Sequence, residues 1–572
     1  MRSMALCRLL HAALVRPDAR EGRVRAYSKA PMSAHPRSWI RLGVLAAALV
    51  LGAWLRLRGL DGLPLHGDEH HTLLAADRGY GEILTTFDLV GSHVPLPLLQ
   101  RLSMDVFGEG VVPFRLVAIV PGLLLLLLAY PLLCAFVDHN AAALASAALA
   151  LNPMMVFYAR FARAYALALL LALVLGWAVR RVLEPGTRRR STWIALSACA
   201  ALLPWVHLST LGFVLAVALA GLLLAARESR AAALRLGAAF AAAGVVSLLL
   251  FAPVFGQVVA YFRANEPEPT PLAWFGVPTL LAGGSAAAWG WLGLVPLGAW
   301  LAWRERSASV VLALAALLGP LVLLLATRPS GMDYAWARYL MSGLPFLAAL
   351  GATALGGLAR LVPRLLQRQG ETLALLAGAG LCLVQHWNGP LGPRAPKDAS
   401  FSNTYLALHS LPAFDEPYPS APELYHTLAA DPTVERIVEA PSIYTRSVLL
   451  YRNHALRHGK EVVIGWTGDL PRALRRGPYV RLLDIEPRQA DWLVMHRDLG
   501  AEVMDYFGFV FEDAWPRHSD PADESFMRRH EAIHDGNLAK PELAESIAAK
   551  LVERYGAPTY EDQRIYAWRL AP

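Results

Sequence analysis

Long apolar segments separated by short polar ones limit what this chain can fold into. A helix needs roughly 17–25 apolar residues to cross about 30 Å of hydrocarbon, and about eleven segments approach that length. They lie near residues 39–57, 114–137, 141–158, 164–183, 192–206, 208–226, 236–256, 284–303, 308–326, 339–358 and 372–387. Of the residues, 55% are hydrophobic and only 17% charged, far from the average of soluble proteins. The sequence therefore predicts a polytopic α-helical membrane protein.

The arginines predict the orientation of these spans. Cytoplasmic loops of membrane proteins collect Lys and Arg. With a cytoplasmic N-terminus, the connections "TRRRS", "ARESRAAALR", "WRER" and "RLVPRLLQRQ" all fall inside. The first external loop, about 58–113, and everything after about 388 then lie outside. The net charge of +8 is explained by this topology, so we predict no nucleic-acid partner.

Two segments flank the predicted membrane domain of residues 39–387. Residues 1–38 are basic and lack a long apolar core, which predicts a cytoplasmic tail and not a cleaved signal peptide, with Met32 an alternative start. Residues 388–572 open with "NGPLGPRAPKD" and then alternate β-like runs, such as "EVVIGW", with helical stretches such as "PELAESIAAKLVERYG". This pattern predicts a soluble α/β domain outside the membrane.

The first external loop contains the densest group of titratable residues. "LPLHGDEHHTLL" sets Asp68 and Glu69 among His66, His70 and His71, close to the outer membrane surface. A carboxylate in such a place can be tuned as a general base or can hold a divalent metal, and the histidines could add ligands or transfer protons. The alternative is that the loop is merely polar.

Arginines on the predicted outer side depart from the positive-inside pattern. "LNPMMVFYARFARAYAL" places Arg160, Arg163 and Tyr165 where the third span ends and the fourth begins, and "PFRL" places Arg115 at the mouth of the second span. Such departures favour a bound anion, because a guanidinium can hold a phosphate bidentately. The alternative is that these side chains extend to the lipid headgroups.

In this order and spacing the chain resembles the GT-C superfamily of membrane glycosyltransferases, in the branch of the Rgt-like proteins, protein mannosyltransferases and aminoarabinose transferases. The likeness lies in "HGDEHHTLL", "SHVPLPLL", "PFRL", "NPMMVFYARFARAYAL" and "WARYLMSGLPFLAAL", which together cover most of residues 39–358. Phe161 stands where many relatives have a Glu, and Val94 replaces the first proline of a His-Pro-Pro element. Residues after 388 carry no resemblance.

The resemblance implies transfer of a sugar from a polyprenyl-phosphate donor to a glycan, lipid or protein acceptor on the external face of a bacterial inner membrane. Asp68 is then the candidate base, with Glu69 supporting it or binding a metal, and His70 a further metal ligand. Arg160, Arg163, Arg338 and Tyr165 are the candidates for donor-phosphate binding. His93 and Arg115 are candidates for orienting substrate. No cofactor is implied with certainty, and a divalent metal ion is the one alternative.

Other functions, and simpler explanations of single motifs, are also compatible with the sequence. A transporter or flippase of a lipid-linked or anionic solute would use the same arginines but would place charge in the middle of helices. "HEAIH", His530 to His534, fits a zinc-protease pattern, but "DGN" follows at once and would stop the required helix.

His207 in "WVHLST" is expected to be a polar cap at a helix turn. Asp333 and Tyr334 precede Arg338 in a loop expected to form a wall of the donor site. The four cysteines, Cys7, Cys134, Cys199 and Cys382, predict neither disulfides nor a thiolate zinc site.

Overall fold

The computed structural model describes residues 36–60, 65, 68–87, 94–184, 189–264, 281, 286–328, 337–359, 367–388, 422–441, 450–451, 454–455, 458–466, 479–486, 489–499 and 541–570. Within these ranges, some side chains, including those of Asp68, His70 and His71, are not described. His66, His93, Asp333, Tyr334 and the "HEAIH" segment lie outside the described residues.

Helices make up most of the N-terminal two thirds of the chain. They are α1 Pro36–Leu57, α2 Asp68–Ala76, α3 Tyr80–Thr85, α4 Pro95–Phe107, α5 Val111–Leu133, α6 His139–Leu151, α7 Pro153–Tyr158, α8 Tyr165–Val182, α9 Arg190–Val206, α10 Leu211–Glu228, α11 Arg230–Phe251, α12 Phe255–Ala264, α13 Ala286–Thr327, α14 Leu344–Ala359 and α15 Gln367–Asn388. Short 3₁₀ turns at Leu208–Thr210, Ala252–Val254 and Met341–Gly343 join neighbouring helices.

Each of the eleven predicted spans coincides with one or more of these helices. Seven helical segments among the described residues are long and apolar enough to cross a membrane, and shorter apolar helices occur at His139–Leu151, Leu292–Trp303 and Thr372–Val384. Helix α13 has 42 residues, about twice what a bilayer requires. Arg306, at φ −141° and ψ 46°, breaks it between the two spans predicted there. The predicted fold class, a polytopic helical membrane protein with a C-terminal α/β region, is confirmed.

Contacts across the helical bundle join helix ends that the predicted topology puts on the same side. At the predicted outer side, His386 Nδ1 near the end of α15 lies 3.0 Å from the carbonyl oxygen of Leu151 at the end of α6. At the opposite side, Arg180 Nε in α8 donates to Ser309 Oγ in α13 over 3.0 Å. The alternation of the helices in space therefore agrees with the alternation of the arginine-rich loops along the sequence.

The C-terminal strands form one mixed sheet. The strands are β1 Arg436–Ala440, β2 Glu461–Trp466, β3 Tyr479–Arg481, β4 Trp492–His496, β5 Tyr560–Glu561 and β6 Ile565–Arg569, in the spatial order β3-β2-β1-β4-β6-β5. Strands β3, β2, β1 and β4 are parallel, and β6 runs antiparallel to both β4 and β5. Helix α16, Glu423–Ala430, packs on one face and helix α17, Pro541–Tyr555, on the other.

Two glycines let α10 and α13 cross at close range. A Cβ on Gly212 would lie 2.5 Å from the carbonyl oxygen of Gly319, and a Cβ on Gly319 would in turn contact the carbonyl oxygen of Gly212. Both obstacles are backbone atoms, which cannot rotate away as a side chain can. Small residues at such crossings let the backbones of membrane helices approach closely.

We expect Gly212→Ala to lower the thermal unfolding midpoint in detergent, because the added methyl group forces the two helices apart at a cost of about 1–3 kcal/mol. Gly244→Ala in α11 is the matched control, since a Cβ there meets nothing within 4 Å. Both changes gain the same intrinsic helix propensity. A midpoint for Gly212→Ala equal to that of Gly244→Ala would contradict the close crossing.

Candidate functional site

A buried ion pair fixes the segment between the first two predicted spans to the helical bundle. Glu69, the second residue of α2, accepts from Arg115 Nε over 2.9 Å and from Arg115 Nη2 over 2.7 Å, and neither side chain is more than 3% exposed. Glu69 Oε1 also accepts the backbone N–H of Ala162 over 2.7 Å. One carboxylate thus joins α2, the start of α5 and the segment between α7 and α8.

Neutral polar groups complete this buried network. Gln100 in α4 donates from Nε2 to the carbonyl oxygen of Ala162 over 3.0 Å and to Thr72 Oγ1 over 3.4 Å. Thr72 Oγ1 donates to the carbonyl oxygen of Glu69 over 2.9 Å. Thr72, Gln100 and Glu69 are all fully buried. Each of these contacts crosses from the first loop to residue 162 or stays within the loop, so the loop is held as a packed unit.

The predicted base and its neighbouring ligands lie at the start of α2. The backbone of Asp68 begins this helix, directly before Glu69, while the side chains of Asp68 and His70 lie outside the described part. Among the side chains that the structure does describe, no group of three His, Cys, Asp or Glu residues is placed to hold a metal ion. Both oxygens of Glu69 are already engaged by Arg115 and Ala162.

The two arginines between α7 and α8, Arg160 and Arg163, are both buried. Arg160 donates from Nη1 to the carbonyl oxygen of Leu55 over 2.8 Å and from Nη2 to that of Arg58 over 2.7 Å. These are carbonyl groups at the end of α1, which have no partner within the helix. Arg160 therefore caps α1, a contact between residues 105 positions apart that the sequence does not indicate. Arg163 is 4% exposed in the same segment.

Aromatic rings surround the turn that carries these arginines. Tyr158 lies 4.8 Å from Phe157 and 4.5 Å from Tyr165 between ring centroids, and Phe161 lies 4.9 Å from Phe157. All four are buried. Phe161, where relatives often have a Glu, is thus part of an apolar stack in this chain. The stack fixes the position of Tyr165 at the first turn of α8.

Tyr165 belongs to a second group, which we call the arginine–aromatic cluster and which comprises Tyr165, His207, Arg338 and Tyr339. The His207 ring lies 4.9 Å from Tyr165 and 5.9 Å from Tyr339. The Arg338 guanidinium lies 5.9 Å from the centre of the Tyr165 ring and 5.2 Å from that of Tyr339, and is only partly buried. The structure therefore brings together two of the predicted phosphate-binding residues, Tyr165 and Arg338.

His207 caps the 3₁₀ turn Leu208–Thr210, as expected, and its ring also packs against two tyrosines. His207 Nδ1 lies 3.3 Å from the backbone nitrogen of Ser209 and 2.7 Å from Ser209 Oγ, at the start of the 3₁₀ turn. The backbone N–H of Ser209 requires Nδ1 to accept. In a neutral ring the proton then lies on Nε2. Nothing in the sequence indicates that this ring packs between Tyr165 and Tyr339.

Among three comparisons with known proteins, the one with solved structures shows the fold. No protein-family model matches the chain, and no curated protein sequence matches it significantly. It is similar to the structure of ArnT from Cupriavidus metallidurans bound to undecaprenyl phosphate, with a TM-score of 0.51 at 16% identity over 81% of this chain and 94% of that chain. The apo ArnT structure gives 0.49 at 15% identity over 76% and 86%.

A more distant likeness is to the oligosaccharyltransferase AglB from Archaeoglobus fulgidus in complex with an inhibitory peptide and a dolichol-phosphate. Its TM-score is 0.43 at 12% identity, over 74% of this chain and 64% of that chain. ArnT is a GT-C superfamily member. The likeness to lipid-bound ArnT shows that this chain has the GT-C fold, as the sequence motifs predicted.

We expect Glu69→Gln and Arg115→Met each to destabilise the protein by about 3–5 kcal/mol, because each leaves one buried charge without its partner. Glutamine keeps an acceptor for the N–H of Ala162, so the loss reports on the ion pair. The double variant should lose clearly less than the sum of the two single losses, with coupling of about 0.5–3 kcal/mol. Thermal or denaturant unfolding in detergent measures all three.

Arg101→Met is the matched control for these variants. Arg101 pairs with Asp105 over 3.0 Å at the surface of α4, with both side chains about one third exposed. An exposed pair contributes roughly 0–1 kcal/mol. Additive losses for Glu69→Gln and Arg115→Met, or losses no larger than that of Arg101→Met, would contradict the role of the buried pair.

Proposed function

We propose that this protein is a membrane glycosyltransferase that moves a sugar from a polyprenyl-phosphate donor to a glycan, lipid or protein acceptor outside the cytoplasm. The main support for this proposal is the contact between Glu69 and Ala162. Glu69 ties α2, whose first residue is Asp68, to Ala162, three residues before Tyr165 of the arginine–aromatic cluster. A candidate base and a candidate phosphate site are thereby joined through one short segment.

The arginine–aromatic cluster supplies what a lipid phosphate requires. The bond that breaks is between the sugar and the phosphate oxygen, so negative charge grows on the phosphate in the transition state. Arg338 has planar N–H donors that match a phosphate and is partly exposed, so a ligand can reach it. The Tyr339 hydroxyl, which accepts from Arg338 Nη2 over 3.4 Å, adds a further donor beside the guanidinium. The ArnT neighbour with undecaprenyl phosphate bound supports this class of donor.

We propose that the Asp68 carboxylate accepts the proton of the acceptor hydroxyl. The acceptor hydroxyl oxygen attacks the anomeric carbon, its proton passes to the Asp68 carboxylate, and the electron pair of the breaking bond leaves with the polyprenyl phosphate. A single displacement of this kind inverts the anomeric configuration. Glu69 and Arg115, which engage each other, are positioning residues in this scheme, and Arg160 positions the end of α1. Arg163 remains a candidate for phosphate binding, and His93 for orienting the acceptor.

The distribution of buried charge favours a transferase over a transporter. Among the described residues of the helical bundle, five Arg, Lys, Asp or Glu side chains are less than 9% exposed: Arg56, Glu69, Arg115, Arg160 and Arg163. Each of them lies within five residues of a helix end or between helices, at the predicted outer side. A transporter needs ionisable groups near the membrane centre.

We expect Asp68→Asn to lower the rate of sugar transfer by about 10²–10⁴-fold, the usual contribution of a general base. The assay uses membranes containing matched amounts of protein and a panel of radiolabelled polyprenyl-phosphate sugars. Asp77→Asn, at an exposed position just after α2, is the control and should transfer at the wild-type rate. Equal transfer by wild type and Asp68→Asn with an active donor would remove Asp68 from the mechanism.

Arg338 and Arg160 should respond differently to the same substitution. We expect Arg338→Gln to raise the KM for the donor by about 10- to 100-fold, because a hydrogen bond to a charged group is worth about 1.5–3 kcal/mol, while the unfolding midpoint stays unchanged. Arg160→Gln should lower the unfolding midpoint, because the carbonyl groups of Leu55 and Arg58 lose their donors. An unchanged KM for Arg338→Gln would place the donor phosphate elsewhere.

A further inference from the structure

A closed group of polar side chains lies in the C-terminal sheet domain, far along the chain from the proposed transferase site. It consists of Tyr425 on α16, Glu439 on β1, His496 on β4, and His454 and His458 on helical turns before β2. We call this group the polar cluster. Each of its members is at most 3% exposed.

The pleat of the strands explains why this cluster forms. In β1, Val438 and Ala440 face α17 and Ile437 faces α16, so Glu439 shares the α16 side with Ile437. The same alternation in β4 puts His496 on the α16 side. Strands β1 and β4 are parallel neighbours, and both residues lie at their carboxyl ends. His454 and His458 are four positions apart on helical turns, which puts both on one face.

Glu439 is already paired within the cluster. Tyr425 donates its hydroxyl to Glu439 Oε1 and Oε2 over 2.7 and 2.8 Å. His496 Nε2 lies 3.0 Å from Glu439 Oε2 and 3.2 Å from the Tyr425 oxygen. An ionised carboxylate only accepts hydrogen bonds, so His496 Nε2 carries a proton and donates it. This carboxylate is therefore engaged on both of its oxygens.

His458 is held as a neutral acceptor. Its Nδ1 accepts the backbone N–H of Lys460 over 3.1 Å, which fixes the turn that leads into β2. Its ring stacks on Tyr425 at 5.3 Å between centroids, on the same tyrosine that binds Glu439. Nε2 of His458 is buried with no hydrogen-bond partner in the described part of the chain. The proton of the neutral ring lies on Nε2, because Nδ1 accepts.

Protonation of His458 conflicts with each of these contacts. A proton on Nδ1 would face the N–H of Lys460, so two donors would meet where a hydrogen bond now forms. The charge would also be buried beside the Lys460 ammonium group. Both effects, burial first, lower the pKa of His458 from its usual 6.5 to about 4. His458 therefore stays neutral in the folded domain at pH values where the same residue, once the turns before β2 have opened, binds a proton.

The other groups around His458 do not offset this charge. Among the described residues, the titratable or charged groups packed nearby are Tyr425 from α16, Glu439 from β1, His496 from β4, Tyr451 and His454 from the same turns, and Lys460 before β2. The one carboxylate in this set is bound to Tyr425 and His496.

We propose that the polar cluster is an acid-sensitive latch in which His458, while neutral, holds the turns before β2 against α16 and, once protonated, releases them. The latch goes beyond the transferase activity proposed above and does not depend on it. The small exposure of the cluster favours this role over substrate binding, and no group of three metal ligands is formed by the described side chains. Buried histidines are the usual sensors of mild acid.

The sign of the effect follows from linkage. Because the folded pKa of His458 is lower than the unfolded value, the stabilisation is complete above pH 6.5 and is lost as the pH falls from 6.5 towards 4. Each proton taken up on opening raises the opening equilibrium constant by about tenfold per pH unit in that window. The sequence predicts that this domain lies outside the cytoplasm, where the pH follows the surroundings.

Hydrogen–deuterium exchange of the full-length protein in detergent tests the latch. Exchange of peptides from α16, β1 and β2 is measured from pH 7.5 to 4.5 and corrected for the intrinsic exchange rate at each pH. We expect protection to fall by about tenfold per pH unit below 6.5. His458→Asn keeps an acceptor for the Lys460 N–H and cannot be protonated, so its protection should stay level. His426→Asn, an exposed histidine on α16, is the control and should follow the wild type.

Two results would overturn the proposal. One is wild-type protection that stays level from pH 7.5 to 4.5. The other is a loss of protection that is the same in His458→Asn as in the wild type. If His458→Asn lacks protection already at pH 7.5, His458→Gln decides, because its longer side chain also offers an acceptor to the Lys460 N–H and cannot be protonated. Protection that falls with pH in His458→Gln as it does in the wild type contradicts the latch, as does protection of the wild type that rises when zinc is added at pH 7.5.

Discussion

The bidentate pair between Glu69 and Arg115 is the interaction on which the arrangement of the proposed site depends. Both charges are buried, and Glu69 also binds the N–H of Ala162. A buried ion pair is weak evidence for stability, because desolvation of two charges costs about as much as their attraction gains. The main effect of the Glu69–Arg115 pair is on the geometry of the site. It specifies one position for α2 relative to α5 and to the turn before α8.

The same logic applies at the end of α1. Arg160 binds the carbonyl groups of Leu55 and Arg58, and Arg56 binds those of Gly52 and Ala150. Away from water, a helix end needs such partners. The arginines at the predicted outer side are thus divided between holding helix ends, as Arg160 does, and facing a partly open cluster, as Arg338 does.

How far the sequence predicts this protein depends on the range of the interaction. Span positions follow from local hydrophobicity, and the eleven predicted spans all coincide with helices. The strands β1, β2 and β4 follow from short apolar runs. Residue type, together with the resemblance to the GT-C superfamily, also selected Glu69, Arg115, Tyr165 and Arg338 as candidates. Their pairing was not predictable, because Glu69 meets Arg115 across 46 positions and Arg160 meets Leu55 across 105. The polar cluster was missed for the same reason, although the four-residue spacing of His454 and His458 was a visible signal.

The most direct test of the central claim is a cryo-EM structure of the protein in lipid nanodiscs saturated with undecaprenyl phosphate. We expect phosphate density within hydrogen-bonding distance of the Arg338 guanidinium and the Tyr165 hydroxyl, with α2 beside it and the Glu69–Arg115 pair intact. Phosphate density confined to the lipid belt around the helices, with nothing bound at Arg338, would contradict it.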